Sequence, residues 1–462
     1  MGEIAITGWY QKELNFLLLK RALLSAPGRE VAAFLAAFTV CVLLYHANPD
    51  TLVQIDTVPP PYVAWSLIHS QDFDVTEFGH LLRHCSRVSP AEFIKAGRGG
   101  RLIFKGPPGA AIMAVPFYCI LPRFEHRLPE NVPSMVGFGR TVGAIYCALA
   151  TAVFFLIARR LLSPGAALLS TILFGFGTTV YSTAAQSLWQ HGPAVLWVCV
   201  ALLVLTWARP GGSYRIGFVA GMAIGMGVLC RPTLVVFLAG LAAWLGVRRE
   251  WRTSIGLCLG GGVLIGLLVV YNVYYTGTLV AGGYGEEAGM WTTPLWLGLA
   301  GLLAAPSRGL LFFTPTAVLA VPGVAKLISR RTVLSKTHRD VLLGGVLGAG
   351  LTLALHAKWG CWFGGWCYGP RFLTEVMPVV CLLFGLGYQH LASWHARALA
   401  VALVCLSVGV HIAGVFGSGR DWAWHSQHYI PPQATDLFSF RDNQIAWAMH
   451  NLAGKLGELF SR

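Results

Sequence analysis

Apolar residues in this chain come in long blocks separated by short polar connectors. Runs of about 20 apolar residues recur along the whole length, the length that a helix needs to cross a hydrocarbon core of roughly 30 Å. They predict an all-α, polytopic membrane protein of about eleven transmembrane helices, near 31–46, 135–158, 164–182, 189–207, 214–229, 231–247, 253–276, 309–328, 341–357, 372–390 and 397–416. Shorter amphipathic stretches lie between the first two. Residues 62–68 and 73–82, separated by Gln71-Asp72, predict juxtamembrane helices lying flat on the bilayer, and residues 8–24 mix aromatic, aliphatic and charged positions as an interfacial helix does. A Gly/Arg-rich turn at 96–101 leads through Ile103-Phe104-Lys105-Gly106-Pro107-Pro108-Gly109 to the apolar stretch 110–121, which is too short to cross.

Composition agrees with the pattern. Of 462 residues, 55% are hydrophobic and 12% charged, about half the ~25% charged fraction of a soluble domain. The net charge of +14 is scattered over connectors, which excludes nucleic acid as a partner and fits membrane topology and anionic lipid. If 110–121 does not cross, one set of short connectors collects Arg159, Arg160, Arg209, Arg215, Arg248, Arg249, Arg252, Lys326, Arg330, Arg331, Lys336, Arg339 and Arg397. The positive-inside rule then places that side, and the N-terminus, in the cytoplasm and the C-terminus outside. No signal peptide opens the chain. The expected division is a transmembrane domain at 1–416, with a first extracytoplasmic loop at 47–134, and a short tail at 417–462. Most of the 11 cysteines fall inside spans and read as small apolar residues; Cys361 with Cys367, and Cys85 with Cys119, are pairing candidates if their loops face an oxidising compartment.

Every unusual segment falls on the outer face. Asp56 lies just beyond the first span, in Gln54-Ile55-Asp56-Thr57-Val58-Pro59-Pro60-Pro61-Tyr62. Its two readings are a working carboxylate or a helix cap or turn residue. The same loop carries Arg83, Arg87, Lys95, Arg98, Arg101, Lys105, Arg123 and Arg127. Insertion topology does not call for cations on that side, so they point to an anionic ligand such as a lipid phosphate. Lys105 is held beside Gly106-Pro107-Pro108-Gly109, and its plain alternative is a snorkelling lysine. Trp189, Gln190 and His191 form a cluster suited to stacking on and hydrogen-bonding a sugar, or an interfacial pair. Glu286 and Glu287 sit in a Gly-rich loop, and Trp359, Trp362 and Trp366 read as a ligand wall or an aromatic belt. Glu375 follows Arg371 by one turn and would hold it as an i,i+4 pair.

An acid after the first span, amphipathic loop helices, Phe104-Lys105-Gly106-Pro107-Pro108 and Tyr368-Gly369-Pro370-Arg371-Phe372-Leu373 before Pro378 together resemble the GT-C glycosyltransferases, in the branch with bacterial aminoarabinose transferases and protein O-mannosyltransferases. Gly106 splits the lysine from the proline pair, and Asp72, Asp74 and Glu77 are the near substitutes for a second acid. The resemblance implies inverting transfer of a sugar from a polyprenyl-phosphate donor to a hydroxyl of a glycan, lipid or protein acceptor on the outer face of the cytoplasmic membrane. It implies Asp56 as general base and Lys105 at the donor phosphate; Arg371 is the candidate second cation there, and His191, Trp189, Gln190, Glu286 and Tyr368 are the candidates for binding the substrate. A divalent cation is optional in that superfamily, and no metal-ligand set stands out here. The alternative from another class is a secondary transporter or flippase for a lipid-linked or anionic substrate.

Overall fold

The computed structural model describes residues 26–50, 56–84, 94–120, 130–279, 285, 287, 289–330, 332, 334–417, 437–441 and 443–460. The helix expected over 8–24 lies outside these residues, as do Cys85, Arg87, Arg123, Arg127, Glu286, Trp422 and Trp424.

Eleven helical segments answer the eleven predicted spans. They are α1 (Ala26–Tyr45), α5 (Val132–Leu161), α6 with α7 (Pro164–Phe176, Thr179–Ser182), α8 (His191–Leu205), α9 (Tyr214–Cys230), α10 (Leu234–Val247), α11 (Trp251–Thr276), α13 with α14 (Leu310–Phe313, Ala320–Ile328), α15 (Lys336–Lys358), α16 (Met377–Tyr388) with the 3-10 turn before it, and α17 (Trp394–Gly417). Six of these segments are long and apolar enough to cross a membrane by length and composition, and the protein is a multi-pass membrane protein. Local chemistry sets their ends. The Asn131 side chain accepts from Ser134 N at the start of α5, Pro133 sits in its first turn, and Arg159 and Arg160 occupy its last.

Small residues let the helices close on one another. On α9 and α11, glycines four apart face each other: a Cβ on Gly221 would lie 2.3 Å from the Leu257 carbonyl oxygen, and one on Gly260 would lie 2.1 Å from that of Phe218. Gly260→Ala is therefore expected to lower stability by about 1–3 kcal/mol through overpacking. Thermal unfolding in detergent checks it against Gly262→Ala, whose added methyl meets nothing within 4 Å.

The first loop holds more packing and more regular structure than the pattern predicts. In helix α2 (Pro59–His69), Pro59, Pro60, Pro61, Tyr62, Val63 and Ala64 are buried against the protein. After the 3-10 turn Thr76–Phe78 and α3 (Gly79–His84) comes an antiparallel hairpin of β1 (Ile94–Ala96) and β2 (Leu102–Phe104), with Ile94 opposite Phe104. Three-residue strands are too short for alternation to register in the sequence. Asp74 pins this hairpin by accepting from Leu102 N at 3.2 Å, and the Ser66 hydroxyl lies within hydrogen-bond distance of Asp72 and Glu77, at 3.1 and 3.0 Å. All three acids considered as partners for Asp56 thus have contacts within their own loop.

Helix α4 (Gly109–Tyr118) has ten residues, and its first glycine abuts the end of α9, where a Cβ would stand 2.4 Å from Leu229 C and Cys230 N. A further short helix, α12 (Leu295–Ala304), occupies part of the connector read as a loop and wedges Gly298 against the Ala357 carbonyl. Helix α18 (Gln444–Phe460) packs on α17, with Gly417 against the backbone of Ala448 and Asn451 Nδ2 donating to Gly417 O at 3.1 Å.

Charged groups separate by connector. One set of connectors holds Arg248–Asp340 at 3.0 Å and Lys336–Glu250 at 3.3 Å. The other set holds the residues described next, as the alternation of spans requires.

Candidate active site

Asp56 and Arg371 stand 315 positions apart in sequence and meet: Arg371 Nη1 donates to Asp56 Oδ2 at 2.7 Å. The side chains keep 20% and 13% of their exposure, so a ligand can still reach both. Asp56 does not cap α2, whose cap position is Val58 and has no side-chain cap bond. The guanidinium of Arg371 lies 4.7 Å from the Trp189 ring centroid and 5.3 Å from that of Phe372, both within cation–π range.

Lys105 leaves the end of β2 and is followed by Gly106, where a Cβ would lie 2.3 Å from the Phe104 ring and would force that ring to shift. Its Nζ lies 2.5 Å from Glu287 Oε1, with 14% and 26% of the side chains exposed. Cys361 feels a charge from each of the two ion pairs. Burial pushes that thiol's pKa up, the charge of Glu287 adds to the rise, and the charge of Arg371 opposes it. Each candidate phosphate cation thus carries a carboxylate. Neither Cys361 nor Cys367 forms a disulfide, nor does Cys119; Cys367 instead accepts from Arg308.

A rigid loop delivers Arg371. Gly364, Gly365 and Gly369 have φ of +83°, +62° and +74°, conformations open to glycine at little cost. The fully buried Arg308 donates to the carbonyls of Cys367 and Gly365, the latter at 2.9 Å. Gln444 of α18 closes the same loop, donating to Cys367 O at 3.2 Å and accepting from Gly369 N at 3.1 Å.

The remaining predicted site residues are placed differently from their expected roles. His191, Trp189, Gln190 and Tyr368 are 0%, 1%, 6% and 1% exposed, which leaves them almost no surface for a sugar. His191 Nδ1 donates to Glu375 Oε1 at 2.7 Å, Trp189 lies under Arg371, and Tyr368 donates to Val410 O at 3.0 Å in a separate apolar cluster. Glu286 lies outside the described residues, and its neighbour Glu287 makes the contact with Lys105. Glu375 does not pair with Arg371: residues 371–376 form a 3-10 helix, in which positions four apart point about 120° away from one another. It pairs instead with His191 and with Arg231 Nε at 3.5 Å, a grouping that sequence reading did not identify. The available signal was that His191, Arg231, His356 and Glu375 all fall at the same predicted end of their spans. Among the described residues, no group of three or more His, Cys, Asp or Glu side chains is arranged to hold a metal ion.

Residues 137–275 match the family described as dolichyl-phosphate-mannose-protein mannosyltransferase. No curated protein matches the sequence. Among solved structures, the fold is similar to ArnT from Cupriavidus metallidurans bound to undecaprenyl phosphate, at 15% identity and a TM-score of 0.50, covering 93% of this chain and 76% of that one. The apo state of the same protein gives 14% identity and a TM-score of 0.51 over 93% and 76% of the two chains. Archaeal oligosaccharyltransferase AglB from Archaeoglobus fulgidus, in complex with an inhibitory peptide and a dolichol-phosphate, gives 12% identity and a TM-score of 0.51 over 89% and 60%. At these identities the structural likeness is one of fold. Over residues 137–275 the chain is similar to that mannosyltransferase family, and along nearly its whole length it shares the fold of the ArnT and AglB structures.

Proposed function

We propose that the protein transfers a sugar from a polyprenyl-phosphate donor to an acceptor hydroxyl, with inversion, at the site formed by Asp56, Arg371 and Lys105. These residues lie outside the matched segment 137–275, so their roles rest on geometry. The observation that carries the reading is the partly exposed Asp56–Arg371 pair at 2.7 Å, with the Lys105–Glu287 pair as a second partly exposed cation. A base and two phosphate cations are what the chemistry asks for. The donor phosphate takes Arg371 and Lys105, displacing their carboxylates, and Asp56 turns to the acceptor. The acceptor O–H proton passes to Asp56, the oxygen bonds to the anomeric carbon, and the carbon–oxygen bond to phosphate breaks with its electron pair leaving on the polyprenyl phosphate. The lipid carriers in the ArnT and AglB structures support a donor of this class. The basic connectors at the opposite end support a site on the non-cytoplasmic face of the cytoplasmic membrane, with the N-terminus inside and the C-terminus outside.

The test is release of polyprenyl phosphate by the purified protein in nanodiscs supplied with a panel of polyprenyl-phosphate sugars and candidate acceptors. Turnover of one donor, dependent on acceptor, is the expected result; a chain that binds but never consumes any donor would point to transport instead. Within this reading Glu287 competes with the donor for Lys105. Glu287→Gln is expected to tighten undecaprenyl phosphate binding about two- to five-fold, the scale of a partly exposed ion pair. Equal or weaker binding would remove the competition from the scheme.

A further inference from the structure

Behind the Asp56–Arg371 pair, four ionisable side chains meet with 8% exposure or less: His191, Arg231, His356 and Glu375. They come from the start of α8, the end of α9, the last turn of α15 and the 3-10 turn that begins at Arg371. Glu375 Oε1 accepts from His191 at 2.7 Å and faces Arg231 Nε at 3.5 Å. Arg231 Nη2 donates to His356 Nε2 at 3.1 Å, and His356 Nδ1 donates to Thr352 O at 2.9 Å. One ring links this group to the reachable pair. The guanidinium carbons of Arg231 and Arg371 each lie 5.3 Å from the Phe372 centroid, and His356 stacks on the same ring at 4.9 Å. A circuit closes on the other side: Trp189, under Arg371, is two residues from His191, which holds Glu375, which shares a turn with Arg371.

Two guanidiniums sharing one ring, Arg231 buried and Arg371 partly exposed, repel each other unless a carboxylate compensates one of them. Asp56 is aligned with Arg371, and Glu375 is the carboxylate next to Arg231. We infer that Glu375 is a positioning residue: it cancels the charge of Arg231, so that Arg371 and not Arg231 presents a cation to Asp56 and, with Lys105, to the leaving phosphate. This inference rests on the proposed role of Arg371. Without Glu375, Arg231 pushes Arg371 off its line to Asp56, while the extra positive charge still attracts an anionic lipid. Loss of the carboxylate therefore separates binding from turnover, which a bare packing role does not do.

The experiment compares wild type, Glu375→Gln and the double variant Arg231→Gln/Glu375→Gln as full chains in nanodiscs. It reads undecaprenyl phosphate affinity by native mass spectrometry, kcat and KM with the working donor, and thermal unfolding. Glu375→Gln is expected to lower kcat about tenfold with affinity kept or tightened, and the double variant, having lost both charges, to recover most of kcat and the wild-type affinity. An unchanged kcat in Glu375→Gln, a double variant as slow as the single one, or parallel loss of kcat, affinity and melting temperature in both would overturn the inference. A wild type that binds undecaprenyl phosphate without consuming any donor would count against the transferase reading alone. The inference would then stand or fall on whether Glu375→Gln tightens binding and the double variant restores it. A wild type that does not bind this lipid removes the phosphate role of Arg371 and the inference together.

Discussion

Asp56→Asn is expected to cut sugar transfer about 10²- to 10⁴-fold, the range for loss of a general base, while the protein stays folded and binds undecaprenyl phosphate. Asparagine keeps the shape of the side chain and an oxygen that can still accept from Arg371 Nη1, now 2.7 Å from Asp56. What it loses is the capacity to take the acceptor's proton. Because the pair is partly exposed, the stability cost is expected to stay within about 1 kcal/mol. Lipid affinity is expected to hold or rise, since a negative charge has gone from beside the phosphate site. Transfer kinetics, lipid binding and thermal unfolding of the same preparation decide the matter. A variant that transfers within threefold of wild type would move the base elsewhere, and one that fails to bind lipid would make Asp56 structural.

Arg371→Lys is expected to lower kcat/KM about 10²- to 10³-fold, the cost of removing a placed donor for transition-state charge, although the formal charge is unchanged. Arg371 donates to Asp56 while its guanidinium carbon lies 4.7 Å from the Trp189 ring centroid and 5.3 Å from that of Phe372. A lysine ammonium is a hydrated point charge on a flexible stem and does not reproduce a planar group within cation–π reach of two rings. The fall is expected mainly in kcat, because a cation still sits near the phosphate in the ground state. Full activity in the lysine variant would mean that only charge matters here, and the aromatic contacts would lose their purpose. Lys105→Ala provides the comparison, with its loss expected mainly in donor affinity.

Hydropathy alone reached the spans because a helix in lipid must satisfy every backbone group internally, and that demand writes a long apolar run into the sequence. Segments stabilised by protein contacts leave weaker marks. Helix α12 has ten residues, half the crossing length, and depends on Gly298 and Gly301 fitting against Ala357 and Trp362. The hairpin at 94–104 depends on Asp74 rather than on strand length. Within the site, Asp56, Lys105 and Arg371 could each be singled out by residue type and position. Their partners could not, because the contact between Asp56 and Arg371 spans 315 residues. α-Helical spacing pairs Glu375 with Arg371, whereas the 3-10 turn sends it to His191 and Arg231. The position of His191 after Trp189 and Gln190 at a helix start predicts a surface group. The fold covers that start with the 371–376 turn, and the imidazole is completely buried.

Helix α18 changes how this chain should be handled in the laboratory. Nothing in the apolar pattern argues against trimming it, since no bilayer-length run follows residue 417. Yet Gln444 supplies two hydrogen bonds to the loop that carries Arg371. A fusion partner, an antibody epitope or a shortened expression clone at that terminus would therefore bear on the placement of Arg371. The same linkage offers a remote handle: a binder that grips α18 would act on that loop from a distance.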